Sequence, residues 1–88
     1  MLDVVIEKVR AEADRAAKRY GHPSSTHESL GVLLEEFDEL RQAIHGNDLV
    51  STGREAIQIA ACAIRLASAC LDAEENDFAT AFGERSVP

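Results

Sequence analysis

The carboxylates of this sequence are concentrated at two places where their spacing could support chemistry. One is the run Glu35-Glu36-Phe37-Asp38-Glu39, and the other is the pair Glu55 and Gln58. Side chains three positions apart share one face of a helix, so Glu36 is expected beside Glu39, and Glu55 beside Gln58. Oxygen ligands of this kind suit Mg²⁺ or Mn²⁺. The spacing therefore indicates a divalent metal site.

An acidic motif on a helix is often only a solvated face, and this sequence has 16 acidic residues among its 88. The second pair makes a solvated face a weaker explanation than a functional site, because the helix that carries this pair is otherwise apolar. On that helix Glu55, Gln58, Cys62 and Arg65 form a narrow polar stripe. Polar side chains on a buried helix need partners. Antiparallel packing of the two helices would supply those partners by bringing the two acidic pairs face to face.

Three long helical patterns must position these residues, and no stretch alternates as a strand would. The first helix is expected from Leu2 to Tyr20, where Gly21 and Pro23 stop it. The second is expected from the caps Ser24-Ser25-Thr26 to about His45, with Gly46-Asn47 as its stop. The third should start near Ser51 or Thr52, with Thr52 and Glu55 as a capping box, and end near Leu71 or Ala73.

After the third helix, the chain is expected to contribute only a short helix and a frayed tail. Phe78, Ala79, Ala81 and Phe82 predict a short amphipathic helix, and residues 83–88 are expected to be frayed. Eighty-eight residues are enough for one domain. The fold class predicted is therefore all-α, a single domain of three long antiparallel helices plus a short C-terminal one.

The apolar residues of the helices predict the core. They also predict that a single chain is too small to cover it. The first helix should bury Val5, Val9, Ala13, Ala16 and Tyr20, and the second Leu30, Leu33, Leu34, Phe37, Leu40 and Ile44. The third helix is apolar nearly all round, and its two cysteines, Cys62 and Cys70, are expected to be free, buried thiols. Nothing in so small a monomer covers its far side. We therefore expect a homodimer or homotetramer that completes a four-helix-type bundle.

Charge and hydropathy restrict the partners and the location. The net charge of −7 argues against binding a nucleic-acid duplex, because phosphate contacts need a basic face. The longest apolar run, Ile59–Ile64, is far shorter than the about 20 residues of a membrane span. Asp3 and Glu7 exclude a secretory signal at the N-terminus. These features predict a cytoplasmic protein without a membrane segment.

The acidic motifs resemble a known signature. Glu35-Glu36-x-x-Glu39, fifteen intervening residues and Glu55-x-x-Gln58 are similar to the E-x-x-E and E-x-x-D motifs of the MazG-like, all-alpha NTP pyrophosphatase superfamily. The similarity extends from about Tyr20 to Asp72. It includes His27-Glu28-Ser29-Leu30 before the first motif and Gln58-Ile59-Ala60-Ala61 in the second.

The resemblance implies Mg²⁺-dependent hydrolysis of a nucleoside triphosphate to the monophosphate and pyrophosphate, for instance in the removal of non-canonical nucleotides. By position, Glu36, Glu39 and Glu55 would hold the metal with Gln58 beside them, and Glu35 would be a neighbouring or alternate ligand. Phosphate charge would be neutralised by basic residues, for which the candidates are Lys18, Arg19 and Arg65.

One position departs from the signature, because Gln58 stands where the superfamily has Asp. An amide offers a carbonyl oxygen to a metal but no negative charge and no general base. Two alternatives therefore remain beside the enzyme. One is a nucleotide- or metal-binding module of the same fold that lacks turnover. The other is a structural helical protein whose acidic face binds a protein partner.

Overall fold

The computed structural model describes residues 1–81, and describes side chains as far as residue 74. This part of the chain folds into three α-helices and contains no strand: α1, Leu2–Tyr20; α2, Thr26–His45; and α3, Leu49–Ala81. The all-helical prediction is confirmed at this level. The predicted start of α1 at Leu2 and the ends of α1 and α2 agree with the structure.

Short loops with specific caps join the helices. Gly21 ends α1 with a φ of 74°, a left-handed conformation that glycine adopts without strain. Ser25 is the N-cap of α2, because its Oγ accepts a hydrogen bond from the Glu28 N–H at 3.0 Å. The Glu28 carboxylate accepts a hydrogen bond from the Ser24 N–H at 2.7 Å, which fixes the entry into the helix.

A tight turn connects α2 to α3. Asn47, at a φ of 57°, is the left-handed residue of this turn. The Asn47 N–H donates to the Ile44 carbonyl at 3.0 Å, and the Asp48 N–H donates to the Ala43 carbonyl at 3.0 Å. This is the paired hydrogen bonding of a Schellman C-cap. The sequence indicated the stop correctly, but Asn47 rather than Gly46 adopts the special conformation.

Two sequence predictions about α3 are wrong. The helix begins at Leu49, and its first turn is capped by Asp48, whose carboxylate accepts a hydrogen bond from the Ser51 N–H at 3.0 Å. Thr52 lies inside the helix and donates to the Asp48 carbonyl, so it forms no capping box with Glu55. The helix also continues to Ala81, because neither Gly nor Pro lies between Gly53 and the end of the described residues.

The continuous helix replaces the predicted end near Leu71 or Ala73 and the separate C-terminal helix. Of the residues expected to form that short helix, Phe78, Ala79 and Ala81 belong to α3, while Phe82 lies outside the described residues. The tail 83–88, expected to be frayed, also lies outside them.

Helix α3 lies between the other two, because α1 and α2 each pack against α3, while in the described residues no Cα atom of α1 lies within 8 Å of one of α2. The centre of the α1–α3 contact is Val9, Ala13 and Ala61, with Ala61 only 2% exposed. On α2, the residues turned towards α3 are buried or half-buried: Ser29, Leu33, Glu36, Leu40 and Ala43. Small side chains in these contacts allow the helix axes to approach closely.

The core of the single chain is smaller than the sequence predicts. Among the side chains described, as far as residue 74, the buried apolar residues are Val9, Ala13, Ala16, Ala43 and Ala61, and no large side chain is fully buried. Leu30, Leu34, Phe37 and Ile44 were expected in the core, but they are exposed, Phe37 by 53%. Val5 and Tyr20 are exposed too. Of the two free cysteines, Cys62 is half-buried and Cys70 is exposed, so the expectation that both are buried is wrong.

By length and hydropathy alone, the stretch Leu49–Glu74 of α3 is sufficient to cross a membrane. The sequence prediction of no membrane segment rested on the absence of a long uninterrupted apolar run. Arg54, Glu55 and Arg65 interrupt this stretch, and charged side chains inside a bilayer are costly.

Candidate functional site

The α2–α3 hairpin brings three of the sequence-predicted carboxylates together. Glu36 and Glu39 come from α2 and Glu55 from α3, and one carboxylate oxygen of each lies within 4.8 Å of the others. The turn at Asn47 explains this meeting. Glu39 lies six residues before the end of α2 and Glu55 six residues after the start of α3, so they stand at the same height in the hairpin. The hairpin thus brings together the carboxylates of Glu36, Glu39 and Glu55 from the two motifs.

The three carboxylates are not equivalent in their surroundings. Glu39 is exposed, whereas Glu36 and Glu55 are half-buried. The Oε1 atoms of Glu36 and Glu55 are shielded from solvent, and no group in the described part of the chain donates a hydrogen bond to either. A buried carboxylate oxygen without a donor is unfavourable. A proton shared between the two carboxylates, or a bound cation, would remove this cost.

Burial and the repulsion of like charges raise the pKa values of Glu36 and Glu39. Burial, the close approach of the Glu55 carboxyl group and repulsion from Glu39 together raise the pKa of Glu36 to about 7. Repulsion from Glu55 is the largest cause of the raised pKa of Glu39. Glu35 is exposed at the edge of the cluster and adds to the repulsion on both neighbours. The cluster therefore favours a cation or a proton.

A cavity of about 620 Å³ adjoins the cluster and is lined by residues of all three helices, because α1 and α2 both lie against α3 with their backbones apart. Glu36 lies on its wall together with three residues of the predicted polar stripe of α3, Gln58, Cys62 and Arg65. The Gln58 amide also approaches Glu12 of α1 closely enough to help lower the pKa of that carboxyl group, after the larger effect of Arg15.

The basic residues predicted for phosphate binding are separated by the fold. Arg65 lines the cavity, and its guanidinium donates a hydrogen bond to the Gly21 carbonyl at 2.7 Å. Neither Lys18 nor Arg19 is among the lining residues; the guanidinium of Arg19 lies 5.5 Å from the centre of the Tyr20 ring. The basic residue that sequence reasoning missed is Arg15, which lines the cavity and pairs with Glu12.

Arg15 gave only a weak signal in the sequence. It stands on the first helix one turn before Arg19, and both belong to a basic helix that offers no motif to distinguish them. The half-buried thiol of Cys62 also lines the cavity, and burial raises its pKa, which disfavours a reactive thiolate.

No protein-family model matches this chain, and neither the characterised proteins nor the solved structures contain a match to it. The resemblance to the MazG-like signature therefore depends on the residues themselves.

Proposed function

We propose that this protein is a metal-dependent nucleoside triphosphate pyrophosphohydrolase of the MazG-like type. The observation that carries the proposal is the convergence of Glu36, Glu39 and Glu55 from two antiparallel helices, in the order and spacing of the signature. The adjoining cavity gives a nucleotide room beside the carboxylates. We place the activity in the cytoplasm, in a homodimer or homotetramer, with non-canonical nucleotides as candidate substrates.

The residues fit Mg²⁺ or Mn²⁺ as the cation. All three carboxylates offer oxygen, the ligand that these hard ions prefer, and two of the oxygens are buried without a donor. Glu36, Glu39 and Glu55 would hold the ion, and the Gln58 carbonyl is a candidate fourth ligand. When bound, such an ion supplies Lewis-acid polarisation of the phosphates and a more acidic water.

In the proposed reaction a water oxygen forms a bond to the α-phosphorus, and the bond from that phosphorus to the bridging oxygen of the β-phosphate breaks. The products are the nucleoside monophosphate and pyrophosphate. Arg65 and Arg15 lie on the cavity wall and are suited to neutralise phosphate charge. Lys18 and Arg19 remain candidates for the outer phosphates. Glu35, exposed at the edge of the cluster, is suited to accept the proton of the water.

A binding module without turnover is the second candidate, and Gln58 is the observation that favours it. The amide adds no charge to the site and cannot act as a base. Gln58 also has a partner on α1, because its amide lies close enough to Glu12 to help lower the pKa of that carboxyl group, after the larger effect of Arg15. In this alternative the same hairpin binds the metal and a nucleotide but releases no pyrophosphate.

The deciding experiment measures pyrophosphate release from a panel of canonical and modified nucleoside triphosphates, with and without Mg²⁺ or Mn²⁺. The test variant is Glu39→Gln, and the matched control is Glu7→Gln, which removes the same charge from an exposed position on α1. We expect metal-dependent release that Glu39→Gln reduces by roughly 100-fold or more and Glu7→Gln leaves unchanged. Metal-induced thermal stabilisation without release would favour the binding module. If the protein shows neither pyrophosphate release nor metal-induced thermal stabilisation, both candidates are refuted.

A further inference from the structure

One acidic residue of α1 differs from the others in its position. Glu12 lines the cavity, and its side chain is only 18% exposed. The other acidic residues of α1 are exposed: Asp3, Glu7 and Asp14. Glu12 directly precedes Ala13, which lies with Ala61 of α3 at the centre of the α1–α3 contact. This contact therefore holds the Glu12 carboxylate beside α3, on the side of the cavity.

Gln58 lies on α3 between Glu12 and the carboxylates of the hairpin. Glu36 is nine residues before the end of α2 and Gln58 is nine residues after the start of α3, so the two stand at the same height in the hairpin. Both line the same cavity as Glu12. Gln58 is therefore the side chain through which α1 can act on the carboxylate cluster.

The charge of Glu12 determines which end of the Gln58 amide it attracts. Arg15 has the largest effect in lowering the pKa of Glu12, and the Gln58 amide lies close enough to lower it further. An ionised carboxylate accepts hydrogen bonds and has none to donate, so it attracts the N–H end of an amide and not the carbonyl end. Arg15 donates hydrogen bonds to both oxygens of Glu12, at 3.2 Å from Nε, which keeps this carboxylate in place.

The carboxylate cluster receives no hydrogen bond from Gln58. The Oε1 atoms of Glu36 and Glu55 are shielded from solvent, and among the described residues no group donates to either. An amide beside two such oxygens would be stabilised by turning its N–H groups towards them. Glu12 competes for those N–H groups, which leaves the carbonyl as the free end of the amide. A carbonyl oxygen is a poor neighbour for carboxylates alone but a suitable ligand for a hard cation.

We propose that Glu12 is a positioning residue for the cation site: it holds the N–H groups of Gln58 on the side of α1, so that the Gln58 carbonyl oxygen is presented to a divalent cation at Glu36, Glu39 and Glu55. A carboxylate that accepts a hydrogen bond from a ligand side chain orients that side chain and makes its ligand atom more basic. Helix α1 thus compensates in part for the charge that the site lacks at position 58. The inference rests on the proposed metal site but not on turnover.

The first test is isothermal titration of Mg²⁺ into the full chain. Glu12→Ala should weaken Mg²⁺ binding by roughly tenfold, as is usual when a group that orients a metal ligand is removed. Asp14→Ala removes the same charge from an exposed position on α1 and should have little effect on the affinity. In a Gln58→Asp background, Glu12→Ala should leave the affinity unchanged or raise it, because a carboxylate at that position has no N–H to hold and repels Glu12.

The two backgrounds separate the proposed role of Glu12 from a simple effect of charge. Equal losses of Mg²⁺ affinity in both would mean that Glu12 acts through its charge and not through Gln58, which would overturn the proposal. An affinity that Glu12→Ala leaves unchanged in the otherwise wild-type chain would overturn it too, although the metal site itself would stand. A wild type that binds no Mg²⁺ would refute the metal site and the role of Glu12 together.

NMR of the wild type tests the same proposal even if Glu12→Ala fails to fold. The chain has two glutamines, Gln58 and Gln42, and the Gln42 amide donates a hydrogen bond to the exposed Asp38 carboxylate at 2.8 Å. Mg²⁺ at saturation should shift the carbon-13 resonance of the Gln58 side-chain carbonyl and leave that of Gln42 in place. The resonance absent from the Gln58→Asp spectrum identifies Gln58. A Gln58 carbonyl that does not respond while Mg²⁺ binds would overturn the proposal.

Discussion

At the scale of single residues, Glu36 is the side chain most sensitive to its surroundings. Its pKa of about 7, against an ordinary value of 4.5, means that it binds a proton more tightly in the folded chain than in the unfolded chain. Its contribution to stability is therefore fully present below about pH 4.5 and is lost as the pH rises through about 7. In the absence of a divalent cation, this side chain favours the folded state most in mild acid.

The variant Glu36→Gln removes this dependence. In metal-free buffer we expect wild type to lose about 1 to 2 kcal/mol of unfolding free energy, relative to the variant, between pH 4.5 and pH 8. Urea denaturation across that range measures the difference. Glu7→Gln is the control and should follow the wild type. Added Mg²⁺ should then stabilise the wild type at pH 8 and have a smaller effect on Glu36→Gln. Equal pH slopes for wild type and Glu36→Gln would show that Glu36 is not held in a repulsive cluster.

Gln58 supports a second prediction at this scale. Gln58→Asp adds a fourth carboxylate near the cluster and should raise the affinity for Mg²⁺ by roughly tenfold, because ligand charge tunes affinity for divalent cations. Ser68→Asp adds the same charge at an exposed position further along α3, away from the cluster, and should have little effect on the affinity for Mg²⁺. Isothermal titration calorimetry measures both. If Gln58→Asp leaves the affinity for Mg²⁺ unchanged, the metal binds away from α3.

At the scale of the elements, the Asn47 turn fixes how α2 and α3 meet. A left-handed residue other than glycine is strained, although Asn tolerates the conformation better than most residues. Asn47→Ala should therefore lower the unfolding free energy by about 1 kcal/mol, whereas Asn47→Gly should leave it equal or slightly higher. Thermal or urea denaturation distinguishes the two. Equal losses from both substitutions would mean that the Asn47 side chain, rather than its backbone, stabilises the turn.

The elements show which parts of the fold a single sequence can predict. Gly21 and the Ser24-Ser25-Thr26 segment marked helix ends correctly, because caps act through local hydrogen bonds. Thr52 was misassigned because Asp48 lies one turn earlier and its carboxylate is the better cap. Leu34 and Phe37 were predicted in the core, but periodicity identifies an apolar face without naming what covers it. The meeting of Glu39 with Glu55 was predictable because a short turn fixes the register of a hairpin.

At the scale of the whole molecule, the exposed large apolar side chains of α2 and the shortage of buried side chains have one explanation. A chain of 88 residues has little apolar surface to spare for a core of its own. Within residues 1–74, the five buried apolar residues are all small except Val9. In the proposed homodimer or homotetramer, the exposed large apolar residues of α2 would be covered. Folding and association are then one event, so the melting temperature should rise with protein concentration.

The packing of α1 against α3 has a consequence for the motion of α1. Helix α1 supplies no carboxylate to the cluster and is joined to α3 by small side chains and the Arg65 hydrogen bond. We therefore expect α1 to detach as a unit, with the chain bending at residues 21–25, while the α2–α3 hairpin stays folded. Amide hydrogen exchange would reveal this, with α1 amides exchanging earlier than those in the middle of α2 and α3. A ligand bound in the cavity should slow α1 exchange selectively, so this helix would set the rate at which ligands enter and leave.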